Sequence, residues 1–143
     1  MVQPLKDEKV DYTISHLANN PKTLLLNAIG ESSSTIDTVI FNFEDLEIAE
    51  ALFEARTKGV EVRVITDSEK AEHKKRAKLL NTFTHNQIDV KFITSKKMHL
   101  KMTMVDKNVV VMGSYNFTEE SATENIEQLV SISNSELAKE WPN

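Results

Sequence analysis

A histidine and a lysine two positions apart are the residues of this chain best suited to chemistry. His99 and Lys101 lie in an apolar stretch that predicts an extended strand, in which residues i and i+2 point to the same face. An imidazole and an ammonium would therefore project side by side. A turn at 106–108 leads into a second apolar run, which ends close to Ser114 and Asn116. That return would bring a hydroxyl and an amide beside the histidine and the lysine.

This set of groups suits the cleavage of a phosphodiester. A neutral imidazole that attacks phosphorus forms a phosphoryl-histidine, which splits one difficult displacement into two easier ones. The negative charge that builds on the non-bridging oxygens would be held by Lys101, Ser114 and Asn116. These three residues are therefore the candidate phosphate-binding groups, with His99 as the nucleophile.

The elements that must position these residues alternate along the chain. Strands are predicted at 10–17, 35–43, 60–66 and 88–94, and helices at 21–33, 46–59 and 68–83. The hairpin at 98–112, a polar helix-prone segment at 118–124 and a last strand at 126–132 follow. The alternation implies right-handed βαβ crossovers. The predicted fold class is α/β, with a mixed, largely parallel β-sheet flanked by helices on both faces.

Composition limits the classes that remain. The chain has 143 residues, 40% hydrophobic and 27% charged, which fits one domain over 1–143 with 1–9 and 134–143 loose or peripheral. It has no run of about 18 apolar residues and no apolar signal-peptide core, so we expect a soluble, cytoplasmic protein. The absence of cysteine excludes thiolate nucleophiles and cysteine-based metal sites. Because the net charge is -5, a polyanionic substrate would need a local positive patch.

The same residues carry a family resemblance. HLKMTMVDKNVVVMGSYN fits His-x-Lys-x4-Asp-x6-Gly-Ser-x-Asn and so resembles the HKD signature of the phospholipase D superfamily. The flanking segments TVIFNFEDLEIAEALFEARTKGVEVRVITD and SYNFTEESATENIEQLV resemble those of single-motif bacterial PLD-like endonucleases. The likeness covers 35–132 and implies a single PLD-like nuclease domain with the phospholipase D/nuclease fold.

The resemblance also implies roles for residues around the motif. Glu127 would be the carboxylate that accepts the Nδ1–H of His99 and holds the reactive Nε2 outward. Asp106 lies an odd number of residues from His99, which points it to the opposite face of a regular strand and predicts a structural role. Gly113 is predicted to let the backbone approach the phosphate closely.

A second copy of the chain is implied as well. The reaction of the superfamily uses two histidines, one as nucleophile and one as general acid, and this chain carries one motif. The resemblance therefore implies a C2 homodimer in which two copies of His99 share one site. His16, His73 and His85 lie outside the motif and are interpreted as structural.

Two basic runs are candidates for nucleic-acid contacts. Lys96 and Lys97 adjoin the motif, where positive charge would lie at the mouth of the site. The run Lys74, Lys75 and Arg76 belongs to a charged helix and is equally typical of an ordinary solvated face.

Acidic residues follow the motif and raise the question of a metal ion. The lysine in the pocket supplies the charge that a divalent ion would otherwise bring. The sequence therefore predicts neither a metal nor a cofactor.

The leading functional hypothesis is a metal-independent phosphodiesterase that acts on nucleic acid. It would be a non-specific endonuclease that cleaves DNA in preference to RNA, through a covalent phosphohistidine, without stable membrane association. Small size favours this hypothesis, because lipid-cleaving relatives usually carry two motifs in one longer chain. The alternatives are a phospholipase D-type hydrolase that acts on phospholipid and a non-catalytic nucleic-acid-binding module of the same fold.

Overall fold

The fold is given by a computed structural model, which describes residues 9–15, 20–71 and 73–139. The strands are β1 Lys9–Ile14, β2 Thr35–Ile40, β3 Glu61–Asp67, β4 Asp89–Ile93, β5 Lys101–Val105, β6 Val109–Gly113 and β7 Gln128–Ser133. The helices are α1 Pro21–Gly30, α2 Leu46–Thr57, α3 Ser68–Ala71, α4 Lys74–His85 and α5 Ser135–Lys139. A π-helical turn, Glu120–Glu124, precedes β7.

These strands form one sheet in the order β1-β7-β6-β5-β2-β3-β4. Strands β2, β3 and β4 are parallel, with helices as their crossovers. The other pairings, β2 with β5 and those among β5, β6, β7 and β1, are antiparallel. The predicted mixed α/β sheet is confirmed, but its parallel part is smaller than predicted. The reason is that the β5–β6 hairpin pairs directly with β2 and brings β7 and β1 in as antiparallel neighbours.

The larger core lies between the sheet and helices α1, α2 and α4. Asn20 begins α1, since its side chain accepts the N–H of Thr23 and Pro21 occupies the first turn. Asp45 begins α2 in the same way. The largest buried side chains of this core are Leu25, Ile29, Ile36, Ile40, Phe43, Ile48, Leu52, Phe83, Ile88 and Tyr115.

The opposite face of the sheet has a smaller core. Val39, Ile65, Met98 and Met104 cluster there with Val110 and with Ala138 of α5. Ala138 is only 7% exposed. Helix α5 therefore packs against the sheet through Ala138, while Ser135, Glu136 and Lys139 are exposed. The single domain over 1–143 with loose or peripheral ends stays a prediction. Residues 140–143 lie outside the described part.

Some elements differ from the predicted ones. The charged helix predicted over 68–83 is two helices, because the backbone of His73 is extended (φ -62, ψ 130). The second strand ends at Ile40 instead of Phe43, which makes an isolated bridge to Phe117. The predicted end of the first strand, 16–17, lies outside the described residues.

Among the helices that the structure describes, none combines the length and the apolar character needed to cross a bilayer.

Candidate active site

The predicted site residues gather at one edge of the sheet. Strands β2 and β3 end at this edge with Ile40 and Asp67, and β6 ends there with Gly113. Strands β5 and β7 begin at the same edge, since Lys101 pairs with Ile40 and Leu129 with Gly113. The carboxyl ends of parallel strands are the usual ligand-binding edge of an open α/β sheet. The residues at or just beyond these strand ends are His99, Lys101, Ser114, Asn116 and Glu127.

The imidazole and the ammonium lie side by side. Lys101 Nζ is 3.2 Å from His99 Nδ1 and donates to the main-chain carbonyl of His99 at 3.1 Å. His99 lies in the loop before β5, and not within a strand as predicted. Because an ammonium has hydrogens only to donate, Nδ1 of His99 is the acceptor in this arrangement.

The charges around this pair favour a neutral imidazole. The ammonium of Lys101 lowers the pKa of His99 below its usual value, and burial and Lys97 lower it further, while Asp67 opposes them. Burial lowers the pKa of Lys101; Glu127 opposes this effect and Lys97 adds to it. His99 is therefore mostly uncharged near pH 7, which is the form that can act as a nucleophile.

The loop that carries His99 is held on both sides. The N–H of Met98 donates to Oδ1 of Asp67 at 2.8 Å, and the N–H of Phe41 donates to the carbonyl of Leu100 at 3.0 Å. The Phe41 and His99 rings have centroids 4.6 Å apart. Asp67 was not predicted as part of the site. The signal available in the sequence was its place directly after a strand of alternating valines.

Glu127 has partners other than the predicted one. Its Oε2 accepts a hydrogen bond from Ser121 Oγ at 2.8 Å and another from Asn125 Nδ2 at 3.2 Å. Among the described residues no hydrogen bond joins Glu127 to His99. Nδ1 of His99 lies instead 3.2 Å from the Lys101 ammonium.

Ser121 links the carboxylate to the end of the motif. Its hydroxyl accepts the N–H of Asn116 at 3.2 Å while it donates to Glu127, and the residue is only 3% exposed. The side-chain Oδ1 of Asn116 is buried and has no hydrogen-bond partner within the described ranges. Ser114 is exposed, and its Oγ accepts the N–H of Gln128 at 3.0 Å. Ser121 was not predicted, because a serine in a polar segment carries no distinctive spacing.

Gly113 is explained by the neighbouring strand. A Cβ at this position would overlap the main-chain carbonyl oxygen of Gln128 and would lie 3.0 Å from Cα of Leu129. Any side chain would therefore force β6 and β7 apart. This reason differs from the predicted one, a close approach of the backbone to the phosphate.

The aspartate of the motif lies at the far end of the hairpin. Asp106 and Lys107 have φ of 55 and 54, so the hairpin turns through a type I′ turn. The Asp106 carboxylate accepts the main-chain N–H groups of Ser33, Ser34 and Thr35, the shortest bond being 2.7 Å from Ser34. Burial raises the pKa of this carboxyl, but these hydrogen bonds outweigh it and the net pKa is lowered. The contacts support the structural role proposed for Asp106.

One basic run lies beside the site. Lys96 and Lys97 are exposed in the loop before His99. The ammonium of Lys97 lies 5.2 Å from the centre of the Phe41 ring. Lys97 is thus close to the ring that packs on His99, and a contact of these two lysines with nucleic acid stays a prediction.

The second basic run is divided. Lys74 is exposed on α4, whereas Arg76 donates to the side chains of Asn42 and Glu44 and is only 14% exposed. The Arg76 guanidinium thus connects α4 to the loop after β2, which favours a structural role over a substrate contact. The side chain of Lys75, and the whole of His16, lie outside the described part of the chain.

Two of the acidic residues after the motif line a separate groove. Glu119 and Glu120 line an open groove of about 770 Å³ that also contains Lys22 and Lys78. Over the residues that the structure describes, no group of three or more histidine and acidic side chains could hold a metal ion.

Comparisons with known proteins agree with this arrangement. The family described as "Cardiolipin synthase, PLD-like domain" matches residues 25–143. A phospholipase D of Rickettsia conorii is 29% identical over 118 residues, which is 82% of this chain. A mitochondrial cardiolipin hydrolase of Chlamydomonas reinhardtii is 28% identical over 113 residues, which is 78% of this chain.

This chain covers a smaller share of the curated relatives than of the solved structure that it resembles. The chain spans about half the length of the curated relatives, 58% of the Rickettsia protein and 50% of the algal one. A solved structure, the phospholipase D family member Nuc of Salmonella typhimurium, has a TM-score of 0.88 and 26% identity. The alignment covers 94% of this chain and 90% of Nuc.

Proposed function

The chain belongs to the PLD-like domain family of the phospholipase D superfamily, and from this membership we propose that it is a metal-independent phosphodiesterase acting on nucleic acid. In this proposal it is an endonuclease without sequence specificity that cleaves DNA in preference to RNA. The observation that carries the proposal is the exposed, neutral imidazole of His99 beside the ammonium of Lys101. A nucleophile and a cation in one place are what phosphodiester cleavage requires.

Phosphate binding would rearrange the His99–Lys101 pair. A phosphate oxygen is a stronger acceptor for an ammonium than a neutral imidazole, so Lys101 would turn from Nδ1 to the non-bridging oxygens. Nδ1 can then carry the proton, which leaves the lone pair on Nε2 for attack. Glu127, whose charge already acts on Lys101, is the acceptor that we assign to Nδ1–H in this state.

The proposed reaction has two displacements. Nε2 of the neutral His99 bonds to phosphorus while the bond from phosphorus to the leaving sugar oxygen breaks. A second imidazole, which in this proposal carries the one proton shared by the pair, protonates that oxygen. Water then attacks the phosphoryl-histidine and gives a proton to the second imidazole. The products are a phosphomonoester, the strand end with a free hydroxyl that left in the first displacement, and free His99.

The second imidazole would come from another copy of the chain. His99 is exposed at the sheet edge, so a two-fold axis passing beside it can bring two copies together. In a mixed dimer, one His99→Ala copy should remove most activity, because both histidines serve one reaction centre. A stable monomer with full activity in sedimentation and cleavage assays would contradict this part of the proposal.

Nucleic acid is favoured as substrate by local charge and by resemblance. Exposed Lys96 and Lys97 supply local positive charge in a chain whose net charge is -5. The resemblance to single-motif endonucleases points the same way.

A nuclease assay in EDTA tests the proposal. Purified protein is expected to cleave DNA, and RNA more slowly, with EDTA present, and His99→Ala should abolish the cleavage. His85→Ala is the matched control, because His85 is exposed at the end of α4, and it should retain activity. Intact DNA and RNA after incubation, or full activity of His99→Ala, would overturn the proposal.

Phospholipid is the second candidate substrate. The names of the curated relatives, phospholipase D and cardiolipin hydrolase, favour it. Liposomes of phosphatidylcholine or cardiolipin, with the released headgroup or phosphatidate as readout, separate the two candidates. Release that depends on His99, with nucleic acids left intact, would transfer the same chemistry to lipid.

A non-catalytic module of the same fold is the third possibility. A phosphoryl group trapped on His99 after rapid quenching would exclude it. Tight binding of nucleic acid without turnover would support it.

A further inference from the structure

Asp67 is a buried carboxylate that the mechanism above does not use. It is the last residue of β3 and is only 3% exposed. Its Oδ1 accepts the N–H of Met98 at 2.8 Å, across 31 residues of sequence. Burying a carboxylate costs more than burying a neutral polar group. A carboxylate buried at the edge that carries the site is therefore a candidate for a role in that site.

The contact lies one residue before the proposed nucleophile. Asp67 holds the peptide on the N-terminal side of His99, and the N–H of Phe41 holds the carbonyl of Leu100 on the other side. The Phe41 ring also packs on the imidazole. His99 is thus the middle of the three residues that lie between these two anchored peptide groups, although its own side chain is exposed.

Asp67 also differs in sign from the other charged groups that face the imidazole. Lys101, from β5, and Lys97, from the same loop, are positive and lower the pKa of His99, whereas Asp67, from β3, raises it. The Asp67 carboxylate therefore acts on the site in two ways, by a hydrogen bond to the main chain of Met98 and by the effect of its charge on the pKa of His99.

We propose that Asp67 is a positioning residue for His99, which fixes the place of the imidazole through the main chain at Met98. The inference rests on the proposed function, in which His99 is the nucleophile. Misplacement of a reacting group by about 1 Å can cost about 100-fold in rate. A loop without this anchor would keep the reactive groups but would lose their alignment.

Two substitutions separate the anchor from the charge. Asp67→Ala removes both, whereas Asp67→Asn keeps an oxygen that can accept the N–H of Met98. With bis(p-nitrophenyl) phosphate as substrate, Asp67→Ala should lower kcat by about 10- to 100-fold with KM within about threefold. Asp67→Asn should recover most of the lost kcat. Asp37→Asn is the matched control, because this carboxylate on β2 is bonded to Arg63 away from the site edge, and it should leave kcat unchanged.

Two measurements do not depend on activity. Hydrogen exchange of the Met98 amide should be faster in Asp67→Ala by about tenfold or more. The NMR titration of His99 should move to lower pH in Asp67→Asn, because the group that opposes the lysines is gone. Because the titration is measured on folded protein, unfolding of the variant cannot explain a shift in the pKa of His99.

The outcomes distinguish this inference from the proposed function. Unchanged Met98 exchange and unchanged His99 titration, or wild-type kcat in Asp67→Ala, would overturn the positioning role and leave the function intact. If the wild type cleaved no phosphodiester while Met98 and His99 responded as expected, the proposed function would fail and the positioning of His99 by Asp67 would stand.

Discussion

The two ends of the β5–β6 hairpin differ in how their charged groups are held. At the turn, the Asp106 carboxylate accepts three consecutive main-chain N–H groups. At the open end, the His99 ring is exposed and its Nδ1 contacts the neighbouring Lys101. One sequence signature therefore contains a fixed anchor and the pair of residues that we propose to be reactive. The comparison teaches that the residues with many protein partners build the site, while those with few remain available to a substrate.

After loss of His99 itself, loss of the cation at the open end should have the largest effect. Lys101→Met is expected to lower phosphodiester cleavage by about 100- to 1000-fold, because the charge on the phosphate loses its main counter-charge. Denaturant unfolding should show nearly unchanged stability. Lys107→Met, at the turn end, is the control and should keep its activity. Equal activity losses in both variants would erase the contrast between the two ends.

Loss of the anchor at the turn should act on stability instead. Asp106→Ala is expected to lower the free energy of unfolding by about 1–3 kcal/mol, since the N–H groups at 33–35 lose a charged acceptor. Activity per folded molecule should stay close to the wild type. Asp11→Ala, on an exposed strand position, serves as the control. A folded Asp106→Ala protein without activity would place this residue in the chemistry after all.

The strand between the two ends can be tested at its glycine. Gly113→Ala should destabilise the protein by about 1–3 kcal/mol, because the added methyl group overlaps the backbone of β7. Gly30→Ala is the matched control, since a Cβ there meets no atom within 4 Å. Thermal unfolding of both variants measures the difference, and equal melting temperatures would contradict the close strand approach.

The smallest effects are expected from pH. The pKa of Asp106 is lowered in the fold. The ionised carboxylate therefore stabilises the folded state at pH values above the unfolded pKa of about 3.9, and this stabilisation is lost as the pH falls through the folded pKa. The stability difference between wild type and Asp106→Asn should therefore shrink on acidification. Unfolding at neutral and acidic pH measures it, and a difference that grows in acid would contradict the assignment.

At the open end, the same logic applies to the imidazole. Lys101 is the largest cause of the lowered pKa of His99, so Lys101→Met should raise that pKa. NMR titration of His99 checks the direction. A pKa that does not rise would mean that the ammonium has little influence on the ring.

The sequence predicted what local patterns encode. Alternating strands and helices gave the α/β class, and the HKD spacing placed His99 and Lys101 together before any fold was known. It did not predict that the hairpin pairs with β2, because that pairing joins segments more than sixty residues apart.

The remainder of the site depends on contacts between distant segments. Asp67 reaches Met98 across 31 residues, and no spacing rule points to it. A basic run also looks the same whether it is solvated or bound, so the ion pair of Arg76 with Glu44 could not be anticipated. The family resemblance identified the Glu127 carboxylate. It did not identify the Ser121 hydroxyl, which donates a hydrogen bond to that carboxylate.

The pairing of β1 with β7 has a consequence for the order of folding. Ser15, just after β1, accepts the N–H of Glu127 across 112 residues. Contacts that close such a long loop form late, whereas the neighbouring βαβ units can form early. We therefore expect refolding to restore secondary structure before it restores the proposed phosphodiesterase activity, with a lag while β1 and β7 pair and the main chain at Glu127 is fixed.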